Sequence, residues 1–180
     1  MALSLAEKIV QLHHALQKED IPHAFGGALA LAWCTERARG TIDIDLNIFV
    51  DASHAAATFR ALPPEVKWSE EDITKTGDEG QIRLWWDTTP IDIFLNTLKL
   101  HEHMARRCRW EDFAGSAVPF LSCQDVAVLK VFFNRTKDWA DLEEMQKAGT
   151  LDMRAVSAYI IEYLGADDER LDKLRSLRPG

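Results

Sequence analysis

Apolar and polar positions alternate most regularly between Ile42 and Ile48, where the chain reads Ile-Asp-Ile-Asp-Leu-Asn-Ile. This period of two predicts a strand with one buried face, formed by the four aliphatic side chains. The other face carries Asp43, Asp45 and Asn47, and strand rise puts its two carboxylates about 7 Å apart. Aspartate is depleted in strands. Two of them in so apolar a segment indicate a cation site, and oxygen ligands suit Mg²⁺.

A glycine pair, Gly26-Gly27, follows the short apolar run 23–25 and precedes an alanine- and leucine-rich segment, residues 28–33. The pattern predicts a short strand, a turn and a helix. Glycines in such a turn let backbone N–H groups approach an anion closely, and the helix dipole adds to the attraction. A glycine turn between a strand and a helix, followed by the Asp-x-Asp strand, describes a site for a metal-bound nucleoside triphosphate.

Residues 81–95 predict a β-hairpin with its turn at 87–90. Asp92 lies between two isoleucines, so its side chain should face away from their buried side. A third carboxylate on a neighbouring strand would complete a site for two Mg²⁺ ions about 4 Å apart, which need several shared oxygens. Asp87 is the competing candidate, but its place in a Thr-Thr-Pro turn suits a turn cap better. We therefore expect Asp92 to be the third ligand.

The remaining pattern predicts an α+β fold, with a small mixed or antiparallel sheet, flanking helices and a helical C-terminal part. An amphipathic first helix covers 4–17, with Ser4 and Glu7 as a capping box. Residues 65–80 are polar and predict surface, with at most one irregular strand. Glycine, serine and proline in 111–121 mark a boundary. We expect a catalytic domain over 1–110 and a helical part over 111–180 packed on it. Further helices are predicted over 28–33, 51–62 and 96–104, and in series from residue 122 onwards.

Two further groups of residues are candidates for phosphate contact. Arg39 and Thr41 lie in the polar connection just before the Asp-x-Asp strand, where the alternative is a turn with solvated side chains. Lys130 is the one charge in the apolar run 126–133, and it either reaches the cleft or snorkels to water. After it, residues 137–141 read Lys-Asp-Trp-Ala-Asp and begin a helix. The two aspartates there share a helix face, so a structural role at the helix dipole is the alternative.

The order of the Gly-Gly and Asp-x-Asp motifs resembles the nucleotidyltransferase superfamily, which has the polymerase-beta-like fold. Residues 130–141 resemble the Lys-Asp-x-x-Asp motif, with its preceding lysine, of abortive-infection (AbiEii-type) nucleotidyltransferase toxins. Arg-x-Thr-x-Asp-x-Asp is frequent in such families and stands here as residues 39–45. The second motif glycine is often serine in the superfamily. The chain is also shorter than many AbiEii-type toxins.

The resemblance implies Mg²⁺-dependent transfer of a nucleoside monophosphate from a triphosphate (NTP) to an acceptor hydroxyl, with release of pyrophosphate. It implies two Mg²⁺ ions and a specific role for each motif residue. Asp43, Asp45 and Asp92 would hold the metal, and Asp138 or Asp141 would orient or deprotonate the acceptor. The implied nucleotide contacts are Gly26, Gly27, Arg39, Thr41, Lys130 and Lys137.

Composition narrows the class of protein. The net charge of −8 works against broad nucleic-acid binding. The basic run 106–109 is either a solvated surface or a local contact for a polyanionic acceptor. No apolar run approaches the roughly 20 residues of a membrane span, and charge near the N-terminus argues against a signal peptide, so we expect a cytoplasmic protein. Three cysteines without metal-ligand spacing predict reduced structural thiols.

Other functions remain open at the level of sequence. The acceptor is a small molecule such as an aminoglycoside or lincosamide, a tRNA or a protein. The chain is alternatively a catalytically silent nucleotide-binding protein, or a toxin that pairs with an antitoxin protein. The sequence does not choose the NTP, the general base or the oligomeric state.

Overall fold

The computed structural model of the 180-residue chain describes residues 3–37 and 40–177, so the predicted phosphate contact Arg39 lies outside the described residues. The chain divides into two compact units. The first comprises Met1–Ala28 and Gly40–Leu121, and the second comprises Leu29–Arg39 and Ser122–Gly180. These bounds differ from the predicted division at residue 110, which falls within a strand of the first unit.

Seven strands and nine α-helices are present in the described part of the chain. The strands are β1 His23–Phe25, β2 Ile44–Asp51, β3 Val66–Lys67, β4 Gln81–Trp86, β5 Thr89–Asn96, β6 Arg109–Phe113 and β7 Ser116–Phe120. The helices are α1 Leu5–Lys18, α2 Gly27–Thr35, α3 Ala55–Ala61, α4 Glu70–Glu79, α5 Leu100–Arg106, α6 Cys123–Phe133, α7 Thr136–Lys147, α8 Met153–Leu164 and α9 Glu169–Ser176. A 3₁₀ turn, Ala52–His54, precedes α3.

All seven strands form one mixed sheet in the first unit, in the order β3-β4-β5-β2-β1-β7-β6. β2 pairs with β5 and β1 with β7 in parallel, whereas the other neighbours are antiparallel. β2 and β5 lie in the interior of the sheet, and their aliphatic side chains, such as Ile44, Leu46 and Ile93, are fully buried. The mixed sheet with flanking helices confirms the predicted fold class.

Several predicted elements are confirmed in the first unit. Ser4 caps α1 and shares a capping box with Glu7. The predicted hairpin is β4–β5, with Asp92 on the less buried side of its strand. The Asp-x-Asp strand was predicted from residue 42, but β2 begins at Ile44, and Ile42 is 81% exposed. Side-chain hydrogen bonds between Thr41 and Asp43 compete with the strand ladder there.

Other predictions of secondary structure were wrong. The polar stretch 65–80 contains helix α4, which starts with a capping box between Ser69 and Asp72 and ends at Gly80 in the left-handed conformation. The predicted boundary 111–121 contains most of hairpin β6–β7. The helix predicted from residue 96 starts at Leu100 because β5 continues to Asn96.

The second unit is helical, with α6, α7, α8 and α9 and the larger part of α2. Cys34 of α2 forms a disulfide with Cys123 of α6, with their Cα atoms 5.5 Å apart. The hydroxyl of Thr150 donates to the carbonyl of Cys34 at 2.7 Å. The prediction of three reduced thiols was therefore wrong for this pair, which are 89 residues apart in sequence.

None of the helices within the two described ranges is both long and apolar enough to cross a bilayer.

Candidate active site in the first unit

Three charged residues form a line across the centre of the sheet. Asp45 of β2 is the direct parallel partner of Asp92 on β5, and Asp92 is the direct antiparallel partner of Arg83 on β4. Directly paired residues project from the same face of a sheet, and neighbouring strands lie about 4.8 Å apart. Asp45 and Asp92 are therefore close neighbours on one face, as a shared site requires.

The glycine pair lies beside this line. The backbone N–H of Gly26 donates to the carbonyl of Asp45 at 2.9 Å. Gly27 has a φ of +55°, and a Cβ built on it would lie 1.8 Å from Oδ2 of Asp45. A Cβ on Gly26 would lie 2.9 Å from Nδ2 of Asn47. The absence of side chains thus makes room for the carboxylate of Asp45 at the start of α2.

Asp43 precedes β2 and is held by its own loop. The hydroxyl of Thr41 donates to the carboxylate and, at 3.2 Å, to the backbone carbonyl of Asp43. These hydrogen bonds fix the orientation of the Asp43 carboxylate in the loop just before β2. Thr41 therefore has a local structural partner, whatever further contact it makes.

Arg83 binds the third carboxylate with both ends of its guanidinium fork. Its Nε donates to Oδ1 of Asp92 and its Nη2 to Oδ2, each at 2.7 Å. The hydrogen bonds and the negative charge of Asp92 raise the pKa of the Arg83 guanidinium, and the charges of Asp43 and Asp45 add to the attraction. Sequence reasoning missed Arg83. The signal was available, because a hairpin of this register sets residue 83 opposite residue 92.

The donor set decides which ions these residues fit. Among residues 3–37 and 40–177, no three His, Cys, Asp or Glu side chains are grouped so that they could hold a metal ion. Mg²⁺, however, is commonly bound by one or two carboxylates together with substrate phosphates and water. Asp43 and Asp45 can supply two carboxylates, whereas both oxygens of Asp92 already bind Arg83. The donor chemistry of Asp43 and Asp45 therefore fits one magnesium ion, for which a triphosphate would have to supply further oxygens.

The other predicted catalytic residues, Asp138 and Asp141, lie in the second unit, and both bind Lys130. Lys130 Nζ is 2.7 Å from Oδ2 of Asp141 and 3.5 Å from Oδ1 of Asp138, and Arg135 Nε is 2.7 Å from Oδ2 of Asp138. Burial alone would raise the pKa of the Asp138 carboxyl, but the hydrogen bonds from Arg135 and the charge of Lys130 outweigh it and lower that pKa. Lys137 is exposed on α7.

The predicted residues thus fall into separate groups. Asp45, Asp92 and the glycine pair lie together in the first unit, with Asp43 and Thr41 at the entry to β2. Lys130, Asp138 and Asp141 form a buried ion cluster in the second unit. Their roles in nucleotide binding and catalysis stay predictions.

Solved structures of similar fold include ANT(2'')-Ia, an antibiotic-resistance factor. Its solution structure aligns with a TM-score of 0.54 and 14% identity over 94% of this chain and 88% of that chain. Its crystal structure in complex with adenylyl-2''-tobramycin aligns with a TM-score of 0.59 and 13% identity, over 88% and 98% of the two chains.

A third structure, an antigenic nucleotidyltransferase-like protein from Paracoccidioides brasiliensis, aligns with a TM-score of 0.51 and 12% identity over 96% of this chain and 94% of that chain. No family model and no curated protein matches the sequence. At these identities the likeness concerns the fold alone, and the chain has the fold of the nucleotidyltransferases.

Proposed function

We propose that the chain is a nucleotidyltransferase that moves a nucleoside monophosphate from an NTP to an acceptor hydroxyl. The observation that supports this most strongly is the direct pairing of Asp45 with Asp92 beside the Gly26-Gly27 turn. Adjacent carboxylates on one sheet face are costly unless a cation or a hydrogen-bond donor balances them. The fold of the molecule is consistent with this activity but does not by itself establish it.

The metal role falls to Asp43 and Asp45 in this proposal. A magnesium ion bound there would neutralise triphosphate charge and polarise the phosphorus under attack. Thr41 orients the carboxylate of Asp43, and Gly27 leaves space for that of Asp45. Backbone N–H groups at the start of α2 can donate to phosphate oxygens, because the first N–H groups of a helix have no partner within it.

The proposed reaction is an in-line displacement. The acceptor oxygen forms a bond to the α-phosphorus while the bond from that phosphorus to the β-phosphate oxygen breaks. Pyrophosphate leaves with the bonding electron pair, and the hydroxyl proton passes to a carboxylate or to water. In this mechanism the residues of the chain chiefly position the two reactants and balance charge, as in phosphoryl transfer generally.

A cationic small molecule is the acceptor class that we favour. The net charge of −8 attracts cations and repels polyanions such as tRNA. An aminoglycoside carries several ammonium groups and hydroxyls and fits this requirement. One neighbour of similar fold was solved with adenylyl-2''-tobramycin, which supports testing this class first. Protein and tRNA acceptors are outcomes of the same test.

The direct test follows the label of each α-³²P NTP. Purified chain is incubated with the labelled NTP, Mg²⁺ and a panel of aminoglycosides, lincosamides, tRNA and protein, and the products are separated. We expect label on one acceptor and one pyrophosphate released per transfer. Binding of nucleotide without release of pyrophosphate would identify a catalytically silent nucleotide-binding protein instead.

Two matched variants locate the activity. Asp45→Asn removes a proposed metal ligand and should lower the rate about 1,000-fold, because metal stabilisation of phosphoryl transfer is worth several kcal/mol. Asp87→Asn makes the same chemical change at an exposed residue in the turn of the β4–β5 hairpin. We expect it to retain the wild-type rate. Equal activity of the two variants would contradict the proposed site.

The second unit has a subordinate place in the proposal. Lys130, Lys137 and Arg39 are proposed phosphate contacts, and Asp138 or Asp141 is proposed to orient the acceptor. We also propose, as a further possibility to be tested, that the chain is related to AbiEii-type toxins and has an antitoxin partner. Arrest of bacterial growth on induction of the chain, relieved by Asp45→Asn, would support a toxin role.

A further inference from the structure

The carboxylate of Asp92, which a site for two ions would need as its third ligand, is already bound to the guanidinium of Arg83. Both oxygens of Asp92 accept hydrogen bonds at 2.7 Å from Arg83, which is the bidentate arrangement that gives guanidinium–carboxylate pairs their strength and direction. The side chain of Asp92 is 22% exposed and that of Arg83 is 50% exposed. The pair therefore lies at the edge of the proposed site, where solvent and ligands can reach it.

Its position distinguishes this pair from an ordinary surface cross-strand pair. Arg83, Asp92 and Asp45 occupy paired positions on three adjacent strands, so Arg83 lies two strands from Asp45, with Asp92 between them. The negative charges of Asp43 and Asp45 also attract the guanidinium, more weakly than that of Asp92. Arg83 thus acts electrostatically on all three carboxylates and not on Asp92 alone.

Charge balance points in the same direction. Asp43, Asp45 and Asp92 carry three negative charges, and Arg83 supplies one positive charge. Counted without the triphosphate, whose own negative charge is the same in either case, a single divalent ion makes these four side chains neutral, whereas a second ion would leave them with two excess positive charges close to the guanidinium. Among the described residues, no three His, Cys, Asp or Glu side chains are grouped to hold a metal ion, so Asp43, Asp45 and Asp92 do not form a three-carboxylate cluster in this structure.

We infer that Arg83 takes the place of the second cation, so that the site binds one divalent ion, at Asp43 and Asp45, and not two. The inference rests on the proposed function, because it concerns the same site. In this arrangement Asp92 is not a metal ligand. It is a positioning residue that holds the Arg83 guanidinium beside the site, where its remaining N–H groups can face phosphate oxygens.

The test counts ions and does not depend on turnover. The folded chain is titrated with Mn²⁺ in the presence of an equimolar mixture of the α,β-methylene analogues of the four NTPs, which is independent of the preferred base. Electron paramagnetic resonance distinguishes one isolated Mn²⁺ from two ions about 4 Å apart, which couple magnetically. Equilibrium dialysis gives the number of ions for each bound nucleotide.

Three variants accompany the wild-type chain. Arg83→Gln removes the charge, Arg83→Lys keeps it, and Arg60→Gln removes an exposed arginine elsewhere in the same unit. We expect one ion for wild type, Arg83→Lys and Arg60→Gln. For Arg83→Gln we expect two coupled ions, because Asp92 is then released as a ligand. Circular dichroism and thermal unfolding of each variant confirm that it is folded.

Every other outcome overturns the inference in a recognisable way. Two coupled ions in the wild-type chain would show that Asp92 serves as a ligand despite Arg83. One ion in both wild type and Arg83→Gln would show that Arg83 does not set the number. Absence of Mn²⁺ and nucleotide binding in the wild-type chain would instead refute the proposed function, and the inference with it.

Discussion

The carboxylate of Asp45 occupies the space that a side chain on Gly27 would fill. A Cβ there would lie 1.8 Å from Oδ2 and 2.5 Å from Cγ of Asp45, and the φ of Gly27 is +55°. Two constraints therefore favour glycine at position 27: the left-handed backbone conformation and the lack of space beside the Asp45 carboxylate. The turn and the Asp-x-Asp motif are consequently one structural unit, although 18 positions separate the two residues in sequence.

Gly27→Ala should weaken both folding and activity. The left-handed conformation and the displaced carboxylate together should lower the free energy of unfolding by about 1–3 kcal/mol. Displacing Asp45 by about 1 Å should lower nucleotidyl transfer roughly 100-fold. Urea unfolding and the label-transfer assay measure the two effects.

Gly77→Ala is the matched control for this change. A Cβ at Gly77, inside α4, would approach no closer than 3.9 Å to a carbonyl, so the variant should be as stable as wild type or up to about 1 kcal/mol more stable. If Gly27→Ala matched it in both assays, the contact between Gly27 and Asp45 would be incorrect.

Lys130→Met should destabilise the second unit strongly. Lys130 is the shared cation of Asp138, whose side chain is fully buried, and Asp141, which is 8% exposed. Removing one partner from a buried ion cluster costs about 3–5 kcal/mol. Arg135 still balances Asp138 in this variant, so we expect a loss towards the lower end of that range. Chemical denaturation followed by circular dichroism measures the loss.

The control for Lys130→Met is Lys147→Met. Lys147 binds Glu144 at 3.0 Å on the surface of α7, and such exposed pairs contribute less than about 1 kcal/mol. A small effect for both variants, together with weaker nucleotide binding for Lys130→Met, would favour the phosphate contact that the motif suggests over the structural role.

The elements nearest the site could be predicted because their signals are local. The alternation of residues 42–48 depends on backbone geometry, and so do the glycine turn and the position of Asp92 within its hairpin. The placement of Asp92 on a strand next to that of Asp45 was a hypothesis about a shared site and did not follow from these strands alone. The register sets the two residues opposite each other, while their role as a metal site stays a prediction. The capping box of Ser4 and Glu7 likewise predicted the start of α1.

The parts that could not be predicted depend on distant pairing or on weak local signals. The disulfide of Cys34 with Cys123 requires two helices to meet, which no spacing reveals. Helix α4 contains one aliphatic residue, Ile73, and only Thr76 in it is buried, so its capping box and Gly80 were the usable signals. Lys130 binds Asp141 in the structure, and no pattern in the sequence distinguishes such a structural ion pair from a catalytic role of the two residues.

Reduction of the disulfide should lower stability. Closing a loop of 89 residues restricts the unfolded chain, which corresponds to about 4.6 kcal/mol in the chain-entropy model and 2–4 kcal/mol in typical proteins. We expect dithiothreitol to lower the unfolding midpoint of the wild-type chain and of Cys108→Ser, whose thiol is not part of the disulfide. Cys34→Ala should already be destabilised and should not respond. Identical midpoints with and without dithiothreitol would refute the disulfide.

Stability should also fall below neutral pH because two buried histidines are held neutral. His23 Nδ1 donates to the carbonyl of Ile21 at 2.7 Å, so its Nε2 is left to accept from Nδ1 of His13 at 2.9 Å. Burial, followed by the charges of His23 and His14, lowers the pKa of His13 to about 4. Burial also lowers the pKa of His23, against the opposing hydrogen bond to Ile21.

The sign of the effect follows from proton linkage. Below pH 6.5 the His13 side chain is protonated in the unfolded chain, but in the folded chain it is protonated only below about pH 4. The contribution of neutral His13 to the free energy of unfolding is therefore complete above pH 6.5 and is lost on acidification. Between pH 7.5 and pH 5.0 the contribution of His13 to the free energy of unfolding falls by about 2 kcal/mol.

Urea unfolding at the two pH values should show this loss in wild type and in His54→Gln, which changes an exposed histidine. His13→Gln should lose about 2 kcal/mol less over the same interval, because it removes the linked proton. An equal loss in all three proteins would mean that His13 is protonated in the folded chain at pH 5.0, and the hydrogen bond to His23 would then have to be reassigned.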